Sequence, residues 1–341
     1  MHDTWRAFLA TRQATFSDDA VLHFGNQDAE LHAARQDTVL ADLSHHGLIR
    51  FTGEETSLFL NNLLSSDVKK LGVNQAQWSS FSTPKGRMLA NFLIWRDNEA
   101  YLLQLPKPLQ AAIQKKLSMY VLRSKTKPSD ATADTILLGL AGTQAATLVE
   151  RHIGPPPASP MDTAHHNGVT VIRLSAQRFE LAVPAEQAAA MWEKLAADAK
   201  PVGQAVWSWL EVQDGTPWIL PATQEQFVPQ MANMELIGAV SFSKGCYPGQ
   251  EIVARTQYLG KLKRRMYLMH VAADEVSPGQ ELYSAEMNGQ ASGMIANVAP
   301  APGGGFDVLA VAQISSLEHD LHLGSLEGPV LIRKTLPYAV H

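Results

Sequence analysis

The segment from Lys244 to Glu251, which reads KGCYPGQE, surrounds the only cysteine of the 341-residue chain. Pro248 and Gly249 suit the middle of a type II turn, because proline fixes φ and glycine supplies a positive φ. Cys246 is therefore predicted to lie in a tight bend, where the ammonium group of Lys244 favours the thiolate over the thiol. A thiolate is a nucleophile and a soft ligand for iron or sulfur species, so this segment is a candidate centre of thiol chemistry.

A lone cysteine is more often a small buried hydrophobe than a reactive group. Two glycines, a proline and three polar residues surround Cys246, however, and that composition does not suit core packing. Arg255 and the basic run Lys261, Lys263, Arg264 and Arg265 add positive potential if they fold back towards the thiol. The residues themselves therefore favour a functional Cys246.

Composition limits the functions that the chain can have. Hydrophobic residues make up 45% and charged residues 18%, which is typical of a globular protein. The net charge of −5 excludes a generally basic surface, so direct binding of nucleic acid is not expected. The N-terminus lacks the features of a secretion signal, and no apolar run approaches the roughly 20 residues that cross a bilayer. One cysteine cannot form an internal disulfide, which together with the missing signal fits a reducing compartment. We expect a cytoplasmic protein without membrane contact, and we expect it to be a monomer.

The first block of elements follows a helix, three strands and a helix. Thr52 and Glu55 have capping-box spacing, and leucines at helical intervals then predict a helix over residues 54–71. Three strand-like runs, WSSFST, MLANFLIW and AYLLQLP, are separated by turn-like clusters and predict an antiparallel meander. Helical spacing returns at Lys107. This block is therefore a compact α+β unit.

The second block repeats this kind of order. It consists of the strand TILLGLAG, the helix TQAATLVERH, an irregular proline-rich loop over 153–168, the strands VTVIRLS and RFELAVP, and an alanine-rich helix from 185. From Leu262 onward, short alternating segments between Pro-Gly, Asn-Gly and Gly-Gly-Gly turns predict a small β-barrel. The stretch 203–261 would connect these modules, and binding sites favour such junctions.

The stretch SFSKGCYPGQEIVAR resembles the signature of the YgfZ family, whose fixed positions are met by Lys244, Gly245, Cys246, Tyr247, Gly249, Gln250 and Glu251. Two upstream stretches, DLSHHGLIRFTGEETSLFLNNLLSSDV and STPKGRMLANFLIW, resemble the half that this family shares with the aminomethyltransferase T-protein of the glycine cleavage system. The resemblance implies an α+β, T-protein-like three-domain ring with two ferredoxin-like units and a C-terminal β-barrel. The expected domains are 1–51 with 132–245, an inserted 52–131, and 246–341 with the cysteine motif and the barrel.

The resemblance also implies a function. It suggests a protein that binds tetrahydrofolate or a one-carbon derivative and supports iron-sulfur cluster assembly or repair in client enzymes, including tRNA modification. The family's reactive cysteine and lysine correspond to Cys246 and Lys244. Folate and iron-sulfur enzymes or cluster-assembly proteins are the expected partners. One thiol cannot hold a cluster alone, so any cluster contact would be transient or shared.

One departure from the T-protein bears on catalysis. Where T-proteins carry a pair of aspartates, this chain has Ala90 and Asn91. An amide cannot take a proton or balance a developing positive charge. The alternative function, a folate-dependent aminomethyltransferase, is therefore disfavoured. Asn91 remains a candidate residue for folate binding. Whether the chain is an enzyme stays open.

Other residues are candidates for the folate site. Glu211 resembles the T-protein carboxylate that holds the pterin edge, although an exposed acid at a helix end is an equal alternative. Gln230 and Asn233 offer amides, or simply loop solvation. Tyr247 could stack on a flat ring or pack, and Arg255 adds a cation.

Further alternatives remain open. The histidine pairs have no companion ligands at motif spacing, so no metal site is predicted. A cysteine-nucleophile hydrolase would need a general base beside the thiol, and a folate sensor would need no thiol chemistry at all.

Overall fold

The computed structural model describes residues 1–260 and 262–340, so Lys261 of the predicted basic run lies outside the described residues. The helices in these ranges are α1 (Asp3–Ala10), α2 (Gln27–Ala33), α3 (Thr56–Leu63), α4 (Lys107–Met119), α5 (Ala145–His152), α6 (Ala185–Ala196), α7 (Gln204–Gln213) and α8 (Gln250–Tyr258). The strands are β1 (Thr15–Ser17), β2 (Ala20–His23), β3 (Val39–Asp42), β4 (His46–Thr52), β5 (Ala76–Ser82), β6 (Met88–Asp97), β7 (Ala100–Pro106), β8 (Lys127–Asp130), β9 (Thr135–Ala141), β10 (Thr163–His166), β11 (Val169–Arg173), β12 (Arg178–Pro184), β13 (Lys200–Val202), β14 (Arg264–Val271), β15 (Glu281–Tyr283), β16 (Ala291–Pro300), β17 (Phe306–Gln313), β18 (His322–Leu323) and β19 (Leu331–Arg333).

The strands form three large sheets and one hairpin. Their orders are β5-β6-β7-β4-β8, β10-β11-β12-β9-β3-β13 and β18-β15-β16-β17-β14-β19, with β1-β2 apart. The chain divides into two compact units. Unit 1 contains Met1–Thr56, Lys70–Gln77 and Leu93–Trp207, and unit 2 contains Ser57–Lys69, Trp78–Phe92 and the chain from Ser208 onward. The division into three domains stays a prediction.

In unit 1, one face of the sheet that contains β12 is packed against helices. Phe179 and Leu181 alternate along β12 and join Leu138 of β9 and Trp192 of α6 in a buried core. Alternation along a strand places the residues between them, including Glu180, on the other face of the sheet. That second face carries the polar residues described below.

In unit 2, the C-terminal sheet is joined to helix α7 by one buried carboxylate. Asp307 of β17 accepts hydrogen bonds from Trp209 Nε1 at 2.9 Å and Gln213 Nε2 at 2.9 Å, both on α7. It also contacts His270 Nδ1 at 3.0 Å and Lys334 Nζ at 2.8 Å. Burial alone raises the pKa of Asp307, but the bonds from Lys334, Trp209 and His270 outweigh burial and hold this pKa below its ordinary value.

Most predicted elements are present, including the meander β5-β6-β7, helices α4 to α6 and the short C-terminal strands. The helix predicted over 54–71 is wrong in extent, because α3 ends at Leu63. Beyond this end, the hydroxyls of Ser65 and Ser66 donate hydrogen bonds to groups outside the helix. Ser65 Oγ donates to the carbonyl of Ala239 at 2.7 Å, and serine side chains of this kind compete with helical hydrogen bonding. The predicted capping box is also wrong, since the Glu55 carboxylate accepts from the amide of Lys125.

The loop predicted over 153–168 contains a strand at its end. Strand β10 pairs antiparallel with β11, with Thr163 opposite Ile172 and His166 opposite Val169. Asn167 and Gly168 both have positive φ and form the turn between the two strands. The sequence TAHH does not by itself predict a strand, and pairing with β11 stabilises this segment as one.

Candidate functional site

The cysteine loop exposes its thiol and buries the residue after it. Cys246 is exposed and Tyr247 is buried. Gly249 has φ +84° and immediately precedes helix α8, so the positive φ predicted for this position is confirmed. The loop therefore turns sharply between an exposed thiol and the first turn of a helix.

A second glycine-containing turn lies directly against Gly249. A Cβ added at Gly249 would come within 2.7 Å of both Gly86 Cα and the carbonyl oxygen of Thr83. Gly86 belongs to the turn between β5 and β6, and it also has a positive φ of +73°. Only a residue without a side chain fits this close approach of two backbones, so the two motif segments singled out in the sequence meet here.

Lys244 is half-buried, and its side chain points towards the end of a helix. Its Nζ donates hydrogen bonds to the carbonyls of Asn61 and Leu64, at the C-terminal end of α3, and lies 4.7 Å from the ring centroid of Tyr247. A cation at this position satisfies terminal carbonyls and complements the helix dipole. Within the described residues, the hydrogen bonds of this ammonium therefore go to carbonyls, and Lys244 fixes the cysteine loop to α3.

Burial affects the ionisation of Lys244 and Tyr247. It lowers the pKa of Lys244 to about 8, with Asp67 opposing this shift and Lys69 adding to it. It raises the pKa of Tyr247 to about 12. The Tyr247 ring thus serves as a neutral platform beneath the Lys244 ammonium, which agrees with the packing alternative, and its stacking on a ligand stays a prediction.

Asn91 is fully buried, and both ends of its amide contact the backbone of one segment. Its Nδ2 donates to the carbonyl of Pro217 at 2.8 Å, and its Oδ1 accepts from the amide of Ile219 at 2.8 Å. Asn297 binds the residue between them in the same manner, accepting from Trp218 N at 3.1 Å and donating to Trp218 O at 3.0 Å. Two asparagines therefore hold the backbone of the segment 217–219.

Glu211 contacts the side chain that this segment carries. Its Oε1 accepts from Trp218 Nε1 at 2.9 Å, and the carboxylate is buried. The exposed-acid alternative for Glu211 is therefore wrong. Asn91, Asn297, Trp218 and Glu211 form one hydrogen-bonded arrangement in unit 2, in which Asn91 and Glu211 have partners from the chain itself.

Gln230 and Asn233 lie in a short 3₁₀ turn and its cap, and both are buried. Gln230 Nε2 donates to the carbonyl of Val253 in α8 at 2.6 Å, and Asn233 Nδ2 donates to the carbonyl of Met266 in β14 at 2.9 Å. Loop solvation is thus wrong for both amides, since they connect the helix that follows the cysteine loop to the C-terminal sheet. Arg255 is exposed in the last turn of α8.

Sequence reasoning missed a buried polar cluster in unit 1. Gln104 Nε2 donates to Glu180 Oε2 at 3.3 Å, and the Arg178 guanidinium lies 5.2 Å from the ring of Trp207. Trp207 packs against the backbone of β9, where a Cβ on Gly139 would overlap its ring. The signal was present in the sequence: Arg178 and Glu180 are charged residues on the same face of an otherwise apolar strand.

Several buried polar atoms of unit 1 lack hydrogen-bond partners among the described residues. They include Gln104 Oε1 and Trp207 Nε1 in this cluster and, elsewhere in the unit, both ring nitrogens of His45. The His45 ring lies 4.4 Å from that of His46, and burial holds the pKa of His45 well below its ordinary range and lowers that of His46 to about 3. A buried polar atom without a hydrogen bond costs about 1–3 kcal/mol, so each of these atoms needs a partner that water or a ligand can supply.

Two further findings are negative. Across residues 1–260 and 262–340, no three His, Cys, Asp or Glu side chains come together as ligands for a metal ion. In the same part of the chain, no helix has the length and apolar character needed to span a membrane.

Comparison with known proteins places these features in a family. Residues 8–239 match the family model described as GCVT N-terminal domain. The chain is 31% identical over 241 residues to the tRNA-modifying protein YgfZ of Pectobacterium atrosepticum, covering 70% of this chain and 72% of that protein. It is 28% identical to the tRNA-modifying protein YgfZ of Colwellia psychrerythraea, covering 89% and 94%.

The chain belongs to the YgfZ family.

A solved structure supports the fold of this YgfZ-family chain. The aminomethyltransferase T of the glycine cleavage system from Bartonella henselae superimposes with a TM-score of 0.81, covers 98% of this chain and 97% of its own, and is 18% identical in sequence. The predicted α+β, T-protein-like fold class is confirmed. At this identity the likeness concerns the fold alone, so activity has to be argued from the residues.

Proposed function

We propose that this YgfZ-family protein binds tetrahydrofolate, or a one-carbon derivative of it, with the pterin ring at the buried polar cluster of unit 1. The observation that carries the proposal is the buried Glu180–Gln104 pair, beside which Gln104 Oε1 and Trp207 Nε1 have no partner among the described residues. The 2-amino-4-oxo edge of a pterin presents two N–H donors and one carbonyl acceptor. A carboxylate, an amide oxygen and an indole N–H match that pattern.

The residues predicted from the sequence take different parts in this proposal. Glu211 and Asn91 hold the Trp218 segment. Gln230 and Asn233 hold helix α8 and strand β14, which both follow the cysteine loop in the chain. Tyr247 and Arg255 belong to the loop and to α8. We therefore assign the ring-binding role to Glu180 and keep Glu211 as the second candidate carboxylate.

Calorimetric titration with tetrahydrofolate tests the assignment. Glu180→Gln replaces one acceptor oxygen with a donor and should weaken binding by about 10- to 100-fold. Glu186→Gln is the matched control, because Glu186 is exposed at the start of α6. Weak binding by Glu211→Ala together with normal binding by Glu180→Gln would show that the pterin binds at Glu211 and not at Glu180. No binding by the wild-type chain would remove the folate proposal.

We propose further that Cys246 supports iron-sulfur cluster assembly or repair in client enzymes. Exposure of the thiol and its fixed loop support this role, because a sulfur atom at the surface can contact a cluster or a persulfide on a partner. The relatives are named tRNA-modifying proteins, which supports a client among the enzymes that modify tRNA. In a strain without the gene, Cys246→Ala should fail to restore tRNA modification and still bind tetrahydrofolate.

Asn91 argues against aminomethyl transfer by the T-protein mechanism. Its amide cannot accept a proton, and both of its polar atoms are used by the backbone of Pro217 and Ile219. The protein therefore has no carboxylate at the position where that mechanism needs one. A glycine cleavage assay with a lipoyl carrier protein should give no turnover.

A further inference from the structure

Helix α8, which directly follows the cysteine loop, exposes an apolar stripe. Ile252, Tyr258 and Leu259 are 37%, 68% and 85% exposed, and Arg255 lies between them on the same side of the helix. Val253 is the residue of this nine-residue helix that is buried. Most helices of a folded domain bury their apolar side, whereas α8 presents it to solvent.

A neighbouring aromatic residue extends the stripe. The ring of Phe242 is 36% exposed and meets the ring of Tyr258 edge to face, with centroids 6.0 Å apart. Cys246, between Phe242 and α8 in the sequence, is exposed as well. We call Phe242, Ile252, Arg255, Tyr258 and Leu259 the α8 face.

The fold holds this helix in place although the helix contributes little to the core. Gly249 at its start packs on Gly86, Ile252 lies against Gly86, and Gln230 binds the carbonyl of Val253 at 2.6 Å. Short helices are unstable unless tertiary contacts hold them. The α8 face is thus a fixed surface, and contiguous exposed apolar residues with polar neighbours are typical of an interaction site.

The charge around the α8 face indicates the chemistry of its partner. Among the described residues from α8 to the start of β14, Arg255, Lys263 and Arg264 carry positive charge. Glu251 is the one carboxylate in this stretch, whereas the whole chain has a net charge of −5. Lys85, next to Gly86, is exposed and adds another cation on this side. A cationic rim around an apolar centre complements an acidic surface with an apolar groove.

Two other occupants fit less well. A second copy in a symmetric dimer would place one cationic rim against another, which is repulsive. An RNA would need open aromatic faces for stacking, but Ile252 and Leu259 are aliphatic and Tyr258 is engaged with Phe242. A protein surface accommodates both the aliphatic residues and the paired rings.

We propose that the α8 face is the docking surface for an iron-sulfur client protein. The client has an acidic surface with an apolar groove that receives the α8 face, and docking brings the client to Cys246. This inference rests on the proposed function of the thiol. It adds the part of the protein that selects the client. The thiol carries the chemistry and the helix beside it carries the recognition.

Binding of a purified iron-sulfur tRNA-modifying enzyme from the source organism, immobilised for biolayer interferometry, tests the proposal. The double variant Tyr258→Ala with Leu259→Ala, and separately Arg255→Glu, should each weaken binding about tenfold or more. The matched control is Ile332→Ala with Arg333→Glu on β19, since Ile332 is 63% exposed and Arg333 is exposed. The control should change the dissociation constant less than about twofold.

The outcomes separate this inference from the proposed function. Unchanged binding by both α8 variants, or no binding by the wild-type chain, overturns docking at the α8 face. Docking of a client protein is also overturned if these variants instead abolish tRNA binding, measured by fluorescence anisotropy, or self-association, measured by sedimentation velocity. If the variants leave tRNA modification intact in the deletion strain while Cys246→Ala abolishes it, docking fails and the thiol proposal stands. If Cys246→Ala also leaves modification intact, the proposed function fails.

Discussion

Gly249 and Gly86 pack backbone against backbone, and a side chain at Gly249 would collide with Gly86 Cα at 2.7 Å. This contact joins the cysteine loop to the β5–β6 turn, and it fixes where helix α8 begins. The loop that carries the thiol is therefore held at one end by a contact between two glycines and at the other by the Lys244 hydrogen bonds to α3.

Gly249→Ala should destabilise the protein and loosen the loop. The substitution forces a side chain into a φ of +84° and into the Gly86 backbone, so the free energy of unfolding should fall by about 1–3 kcal/mol. Gly245→Ala is the control, because a Cβ there meets no atom within 4 Å. Urea titration measures the difference. Equal stability of the two variants would show that the contact does not constrain the loop.

Asn91→Asp should destabilise the protein without creating a transferase. The new carboxylate would replace a donor with an acceptor opposite the carbonyl of Pro217, in a site with no exposure. We expect a loss of about 2–4 kcal/mol at pH 7 and no glycine cleavage activity. The stability is measured by urea unfolding and the activity with a lipoyl carrier protein. Measurable turnover would mean that residue 91 alone distinguishes this protein from an aminomethyltransferase.

The sequence was sufficient for the fold because most elements carry local patterns. The apolar runs of β6, β7 and β9 and the periodicity of α4 and α6 are readable from neighbouring residues alone. Helix 54–71 was overextended because its end depends on Ser65, whose hydroxyl binds Ala239 far along the chain. Strand β10 was missed because its partner strand, not its own composition, makes it a strand.

The site was only partly predictable for the same reason. The turn at Gly249 follows from local chemistry, and the structure agrees. The amide of Asn91, in contrast, is used by Pro217 and Ile219, more than 120 positions away, which no spacing rule reveals. The cysteine motif predicts that Lys244 acts on the thiol, whereas its ammonium binds carbonyls at the end of α3. Glu180 pairs with Gln104, which lies 76 positions away, so no spacing rule connects the two.

Lys244 should make stability depend on alkaline pH. Its folded pKa of about 8 lies below the unfolded value of 10.5, so between these values the unfolded chain binds more protons than the folded chain. The contribution of Lys244 to stability therefore rises as the pH rises through this window. Lys244→Gln should remove this rise, which urea titrations at pH 7.5, 8.5 and 9.5 would show. Lys263→Gln, at an exposed position, should retain it.

His46 should make the protein sensitive to mild acid. Burial holds its folded pKa at about 3, whereas the unfolded side chain titrates near 6.5. The unfolded state therefore gains a proton first, and stability is lost as the pH falls below 6.5, by up to about 1.4 kcal/mol per pH unit. Asp42 acts in the opposite direction, because burial raises its pKa to about 6.

The His46 contribution can be isolated by comparing pH profiles. His46→Gln should reduce the loss of stability between pH 6.5 and 5, and the remaining loss comes from His45, whose pKa burial also lowers. His319→Gln, at an exposed position, should leave the profile of the wild type unchanged. Thermal unfolding across this range is the measurement. A His46→Gln profile that runs parallel to the wild type would assign the acid sensitivity to other groups.

Asp307→Asn should separate helix α7 from the C-terminal sheet. The carboxylate accepts bonds from Trp209, Gln213 and Lys334, and an amide at this position keeps only one acceptor oxygen. We expect a loss of about 2–4 kcal/mol in urea unfolding at pH 7, because donors in a buried site lose their acceptor.

Since the folded pKa of Asp307 is depressed, its contribution to stability is present above the unfolded value of 3.8 and is lost as the pH falls below it. The difference between wild type and Asp307→Asn should therefore shrink at pH 3. Asp274→Asn, an exposed position in the same sheet region, is the control, and an equal effect of both substitutions would show that α7 is held by other contacts.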